Sequence, residues 1–175
     1  MKAFEELKED LLTRAKNAGA CQRGYAMGLR SETKADLLIA ITENWFWVFR
    51  DEKIVDAEYL EDNFTEEELF QAGIYIRGIH NVKTSSFAFG SATVKAYDSA
   101  TVKAFGSATV EAFDSATVKA FENSYVEDCI GNIRPHSDYA IVKDYYNHKI
   151  YIKKGNLKLL KYRFRLRRDK MAIGC

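Results

Sequence analysis

Only three cysteines occur, Cys21, Cys129 and Cys175, and no two of them are close in sequence. An odd set of distant cysteines gives no disulfide framework, and without a CxxC spacing there is no zinc signature. The expectation is reduced thiols in a cytoplasmic protein. The histidines His80, His136 and His148 are scattered, with no carboxylate or cysteine at ligand spacing. No metal and no cofactor is therefore expected. No apolar run reaches membrane-spanning length, so no membrane partner is expected. The opening MKAFEELKEDLL is acid-rich and has no apolar signal core, so export by that route is not expected. A phosphate-binding loop and a dinucleotide fingerprint are both missing.

What is present is an ordinary globular mixture. The chain has 175 residues, 47% hydrophobic and 29% charged, enough for one domain or two small ones. The net charge of +1 hides a polarity: residues 1–72 carry −7, residues 73–152 carry 0 and residues 153–175 carry +8. Such polarity points to partner surfaces and says nothing of fold.

The acidic head reads as helical. Phe4, Leu7, Leu11, Ala15 and Ala18 recur at helical spacing, which predicts a helix over 2–18 with Gly19 as its stop. A second helix is expected from the cap Ser31 to about Arg50, with the stripe Leu38, Ile41, Trp45 and Val48 in the core. Thr65 and Glu68 form a capping box for a third.

The middle is a repeat: FGSATVKA (89–96), YDSATVKA (97–104), FGSATVEA (105–112) and FDSATVKA (113–120), followed by the worn copy FENSYVED (121–128). Its second position alternates Gly90, Asp98, Gly106 and Asp114, so the true period is sixteen residues in two half-coils. One octad cannot bury an apolar face alone, and stacked coils can. Alternation places Ala92, Val94 and Ala96 inward and Thr93 and Lys95 outward, with Val102, Val110 and Val118 inward likewise. The [FY]-[GD]-S element is the corner. Gly takes positive φ there, and Asp and Ser bond nearby backbone N–H groups. Stacking at about 4.8 Å then builds the ladders Phe89-Phe105-Phe121 and Tyr97-Phe113. It also sets Lys95 beside Glu111, and Lys103 beside Lys119, where an anion would be welcome. Asp98 and Asp114 should also stack; corner hydrogen bonding is their expected role, with cation binding as the alternative.

The octad [FY]-[GD]-S-A-T-V-[KE]-A resembles the Ala-Gly-Tyr-Gly-Ser-Thr-x-Thr octads of bacterial ice-nucleation proteins, over about residues 85–128. The resemblance implies paired octads in the sixteen-residue coils of a β-solenoid. The fold class expected is α+β: an N-terminal helical cap domain over 1–72, a short β-solenoid (β-helix) of about five coils over 73–152, and a basic C-terminal strand over 153–175.

In that tail Lys161, Arg163, Arg165 and Arg167 alternate with Tyr162, Phe164 and Leu166, and Arg168 adds to the charge. As a strand it would have one cationic face, able to grip phosphates or an acidic surface. The candidate partner-binding residues are thus Lys161, Arg163, Arg165, Arg167, Arg168, Lys103 and Lys119, and no catalytic residue is assigned. The serines Ser91, Ser99, Ser107 and Ser115 recur as corner residues, whereas a nucleophile would be unique. The reading is a non-catalytic binding protein, of the kind represented by the small inhibitors and adaptors of mobile elements. It would dock on a macromolecular partner, protein or nucleoprotein, through solenoid faces, acidic head or basic tail. The tail offers direct nucleic-acid contact, and the solenoid end a homo-oligomer contact. The alternatives are a solenoid-face enzyme of acyl transfer or polysaccharide cleavage, with His80 and His136 as its irregular residues, and ice binding.

Overall fold

A computed structural model of the chain describes residues 1–153. It divides into a helical unit, Met1–Gly78, and a second unit that begins at Ile79. The second unit is a β-solenoid of roughly four turns with coils of about sixteen residues.

In the helical unit α1 (Phe4–Asn17) buries Leu7 and Leu11, and Gly19 follows at φ 75°. Next comes α2 (Gln22–Arg30), capped by the Cys21 sulfur, which accepts the Gly24 N–H at 3.4 Å. The expected helix over 31–50 is two elements. Ser31 closes α2, its hydroxyl donating to the Met27 carbonyl at 3.1 Å. The reciprocal box of Thr33 and Asp36 satisfies two end donors, so it starts α3 (Lys34–Glu43) instead. Asn44 ends α3 by donating from Nδ2 to the Ala40 carbonyl at 2.8 Å. The chain then widens into a π-helical turn, Phe46–Asp51, in which the Glu52 N–H reaches the Trp47 carbonyl at 3.0 Å. The wider turn breaks the 3.6-residue stripe. Val48 and Phe49 are buried, and Trp45, expected in the core, is half-buried against the edge of Phe46. Asp56 caps α4 (Ala57–Asn63), the Thr65–Glu68 box caps α5 (Glu66–Gln71), and β1 (Ile74–Tyr75) follows.

The solenoid strands are β2 (Ile79–Val82), β3 (Ser86–Ala88), β4 (Thr93–Ala96), β5 (Thr101–Ala104), β6 (Thr109–Ala112), β7 (Thr117–Ala120), β8 (Tyr125–Asp128) and β9 (Ile141–Asp144). Parallel pairing runs β2-β4-β6-β8-β9 on one face and β3-β5-β7 on the other. Every partner within the repeats is sixteen residues away: Val94 faces Val110, and Val102 faces Val118. The expected parity holds. Val94, Val102, Val110, Val126 and Val142 have 0% exposure, as do Ala92, Ala96, Ala104 and Ala112. Each buried valine is worth about 1.5–3 kcal/mol against exposure.

The corners are tight turns. Ala92 N–H bonds the Phe89 carbonyl at 3.0 Å, and Ala100 N–H bonds that of Tyr97 at 3.1 Å. The second residue of each has positive φ: Gly90 55°, Asp98 54°, Gly106 62°, Asp114 55° and Glu122 54°. The acids at this position serve the coil before them. Asp114 Oδ2 accepts the Asp98 N–H at 3.0 Å, and Glu122 Oε2 accepts the Gly106 N–H at 2.7 Å. Inside, Phe89, Phe105 and Phe121 stack with centroids 5.0 and 5.1 Å apart; Tyr97 and Phe113 stack at 5.0 Å.

After β8 the regular coil stops. Asp128 stands in register with Ala112, and its buried carboxylate accepts three N–H groups of the next loop, from Ile130, Gly131 and Ile133. Only the Ala120–Pro135 bridge continues the second face. A fifth coil begins with β9 and is ended by β10 (Lys149–Ile152), which turns back antiparallel onto it. Cys21 is exposed and free. Cys129 is disulfide-bonded, which corrects the expectation of reduced thiols at that position.

Two substitutions test this interior. Val102→Asp should lower stability by at least about 3 kcal/mol, because it buries an unpaired carboxylate. A thermal midpoint near that of the parent would mean that the parity is reversed. Ser124 occupies the inward position that Ala108 holds one coil earlier, and its buried hydroxyl has no hydrogen-bond partner. Ser124→Ala should therefore raise stability by about 1 kcal/mol in chemical denaturation, and a loss would show that the hydroxyl is satisfied.

Candidate functional site

Strand alternation turns two side chains per strand outward, and in-register stacking lines them into columns. On the β2-β4-β6-β8-β9 face one column reads Asn81, Lys95, Glu111, Glu127, Lys143. It is compensated internally. Lys95 Nζ lies 2.9 Å from Glu111, and its pKa is raised by that hydrogen bond and charge. Glu127 accepts from the hydroxyls of Tyr125 and Tyr145, each at 3.1 Å. Burial and the Glu127 charge push the Tyr125 hydroxyl up to about 12. Lys143 bonds the Tyr145 hydroxyl, which raises its pKa in turn.

The β3-β5-β7 face is different. Its columns are Thr101-Thr117 and Phe87-Lys103-Lys119, in which Phe87 is buried, with no carboxylate at any outward position of β5 or β7. Lys103 and Lys119 are register partners one strand apart. The Lys103 ammonium donates to Ser85 Oγ at 2.8 Å and sits 4.6 Å from the centre of the Phe87 ring. Burial, then the neighbouring Lys119 charge, hold its pKa below the usual lysine range. The two lysines singled out in the sequence are thus register partners, Lys103 over the Phe87 ring. Phe87 and Ser85 went unrecognised, although counting back sixteen residues from Lys103 finds Phe87.

The other candidates have structural places. Asp98 and Asp114 meet through the corner bond, and Lys83 lies 3.2 Å from Asp98. His80 is in register with Val94, and His136 packs tilted on Phe121 at 5.3 Å, ending the phenylalanine ladder. No cluster of three or more histidine, cysteine or carboxylate side chains suited to a metal occurs among the described residues. Among them, too, no helix is long and apolar enough to cross a membrane. Lys161, Arg163, Arg165, Arg167 and Arg168 lie outside the described residues.

No family model matches the chain, and neither does any curated protein or solved structure. The likeness to ice-nucleation octads therefore rests on the octads alone.

The lysine pair gives a direct electrostatic test. Lys103 has a folded pKa below its unfolded one, so the unfolded chain binds more protons in that interval. Stability from this group accordingly rises as pH climbs through the interval. Lys119→Glu should raise the Lys103 pKa, read by NMR titration of its ammonium-bearing carbon, and flatten that rise. An unmoved titration would show that the two charges do not interact.

Proposed function

We propose that the chain is a non-catalytic binding protein that docks on an acidic surface of a macromolecular partner. The observation that supports this reading is the Lys103–Lys119 pair. Parallel stacking makes the two lysines register partners on one face. Like charges directly opposite each other cost stability, and an anion laid across both relieves the repulsion. The opposite face shows that the repeat can do otherwise: Glu111 in place of lysine makes the Lys95 pair favourable. The basic tail, with Arg163, Arg165 and Arg167, would extend the same chemistry. A rigid strand platform holds such charges with little side-chain ordering left to do on binding.

The test is a pull-down read by mass spectrometry, with and without nuclease, using the parent, Lys103→Gln with Lys119→Gln, and Arg163→Gln with Arg165→Gln and Arg167→Gln. The lysine double variant should melt within about 0.5 kcal/mol of the parent and lose the partner. Recovery that falls with nuclease identifies a nucleoprotein, and binding should then weaken steeply with salt. Full retention of the partner by both folded variants would remove the cationic surfaces from the interface.

A further inference from the structure

The helical unit contains a solvent-open cavity of about 270 Å³. Its walls come from α1, α2, α3 and the π-helical turn, and Leu11, Leu37, Ile41 and Val55 give it an apolar lining. Tyr25 and Trp47 add ring surface. No charged side chain lines it. Its polar groups are few: the Cys21 thiol and the side-chain amide of Asn44 are among them. Asn44 Nδ2 is committed to the Ala40 carbonyl at 2.8 Å, which leaves Oδ1 as the acceptor that this side chain offers.

Two features separate this cavity from a casual packing defect. Ala15 and Ala40 border it, where larger side chains would have narrowed it. Moreover, α2 carries Gly24 and Gly28, each costing about 1 kcal/mol against alanine in a helix; Gly28 lets α2 close on α1, since a Cβ there would lie 3.1 Å from Leu12. A Cβ on Gly24 would lie 3.1 Å from Asn44 Oδ1, so the glycine keeps the backbone close to that acceptor.

We propose that this cavity is a binding site for a small, neutral, largely apolar molecule with one hydrogen-bond donor, which Asn44 Oδ1 receives. Size follows from volume: an apolar cavity of ~150 Å³ takes benzene, so this one suits roughly ten non-hydrogen atoms. Neutrality follows from the lining, since a buried charge with no counter-charge is too costly. The site is independent of the lysine face.

Indole is the probe, titrated calorimetrically into the parent protein beside 1-methylindole, which lacks the donor, and indole-3-carboxylate, which is charged. Indole should saturate below about 1 mM. 1-Methylindole should bind about fivefold more weakly, the loss of one hydrogen bond, and the carboxylate should not bind. Saturating indole should also slow alkylation of Cys21 by iodoacetamide, read by mass spectrometry of its peptide. Ala40→Leu should abolish indole binding with the melting temperature kept or raised; should it fail to fold, Ala20→Leu is read by the same criterion. No saturable indole binding by the parent, or undiminished affinity in a folded cavity-filling variant, would overturn the site. Equal affinity for indole and 1-methylindole would overturn the role given to Asn44.

Discussion

The solenoid depends on one constraint: alanine and valine must point inward in every half-coil, and each must meet its equivalent sixteen residues on. Between the strands the valines pack column upon column, and the phenylalanine ladder Phe89-Phe105-Phe121 fills the corner beside them. Side-chain period in a strand is two, so a slip of one residue would exchange the interior with the surface. Everything else is arranged to prevent that slip. Backbone bonds continue round the corners: Phe105 N–H reaches the Ala88 carbonyl at 2.8 Å, and Phe121 N–H that of Ala104 at 2.9 Å. The buried phenylalanines fit only above one another, and each such ring pair adds about 0.5–1.5 kcal/mol.

Strict register has a consequence for the surface. It makes equivalent residues neighbours, so any charge in the repeat is stacked on its own kind. At the corners Asp114 stacks on Asp98, and the pair is relieved because Asp114 accepts the Asp98 backbone N–H while Lys83 lies beside the Asp98 carboxylate; Glu122 likewise accepts the Gly106 N–H. The β2-β4-β6-β8-β9 face answers it by exchanging lysine for glutamate at position 111. On the β3-β5-β7 face the lysines stay together.

Legibility followed the strength of local signals. A repeat states its period outright, so the parity of Val94 and Val102, the positive φ of Gly90 and Gly106 and both aromatic ladders were readable from sequence. The capping box at Thr65 was readable too, because its two side chains satisfy each other within one turn. Where competing local interactions decided, sequence reasoning failed. Ser31 and Thr33 are both good caps, and only Asp36 three residues after Thr33 settles which begins the helix. The π-helical turn displaced the stripe expected through Trp45. At the solenoid end, Asp128 and Asp144 look like worn repeat positions. Their register shows instead that a buried alanine site has become a buried acceptor; Asp144 takes the Asn147 N–H at 2.7 Å. Burial pushes the Asp144 carboxyl upward, but these bonds and the Arg134 charge outweigh it and hold its pKa below the usual range. Of the candidate site, the lysine pair could be read by counting, whereas Phe87 beneath it lies in a lead-in segment that does not match the octad.

The two units keep their specificity in different ways. In the solenoid each coil rests on its neighbours, so stability is spread over many equivalent contacts, and one outward substitution leaves the rest in place. The helical unit has a single core, in which Leu7, Leu37, Leu38 and Leu60 are almost fully buried. Its capping residues, Thr33, Asp56 and Thr65, fix where the helices start with side-chain bonds instead of interior volume. α1 has no such cap and is held by the burial of Leu7 and Leu11, and Leu11 with Leu37 of α3 then walls the cavity beside Asn44 whether or not it is filled.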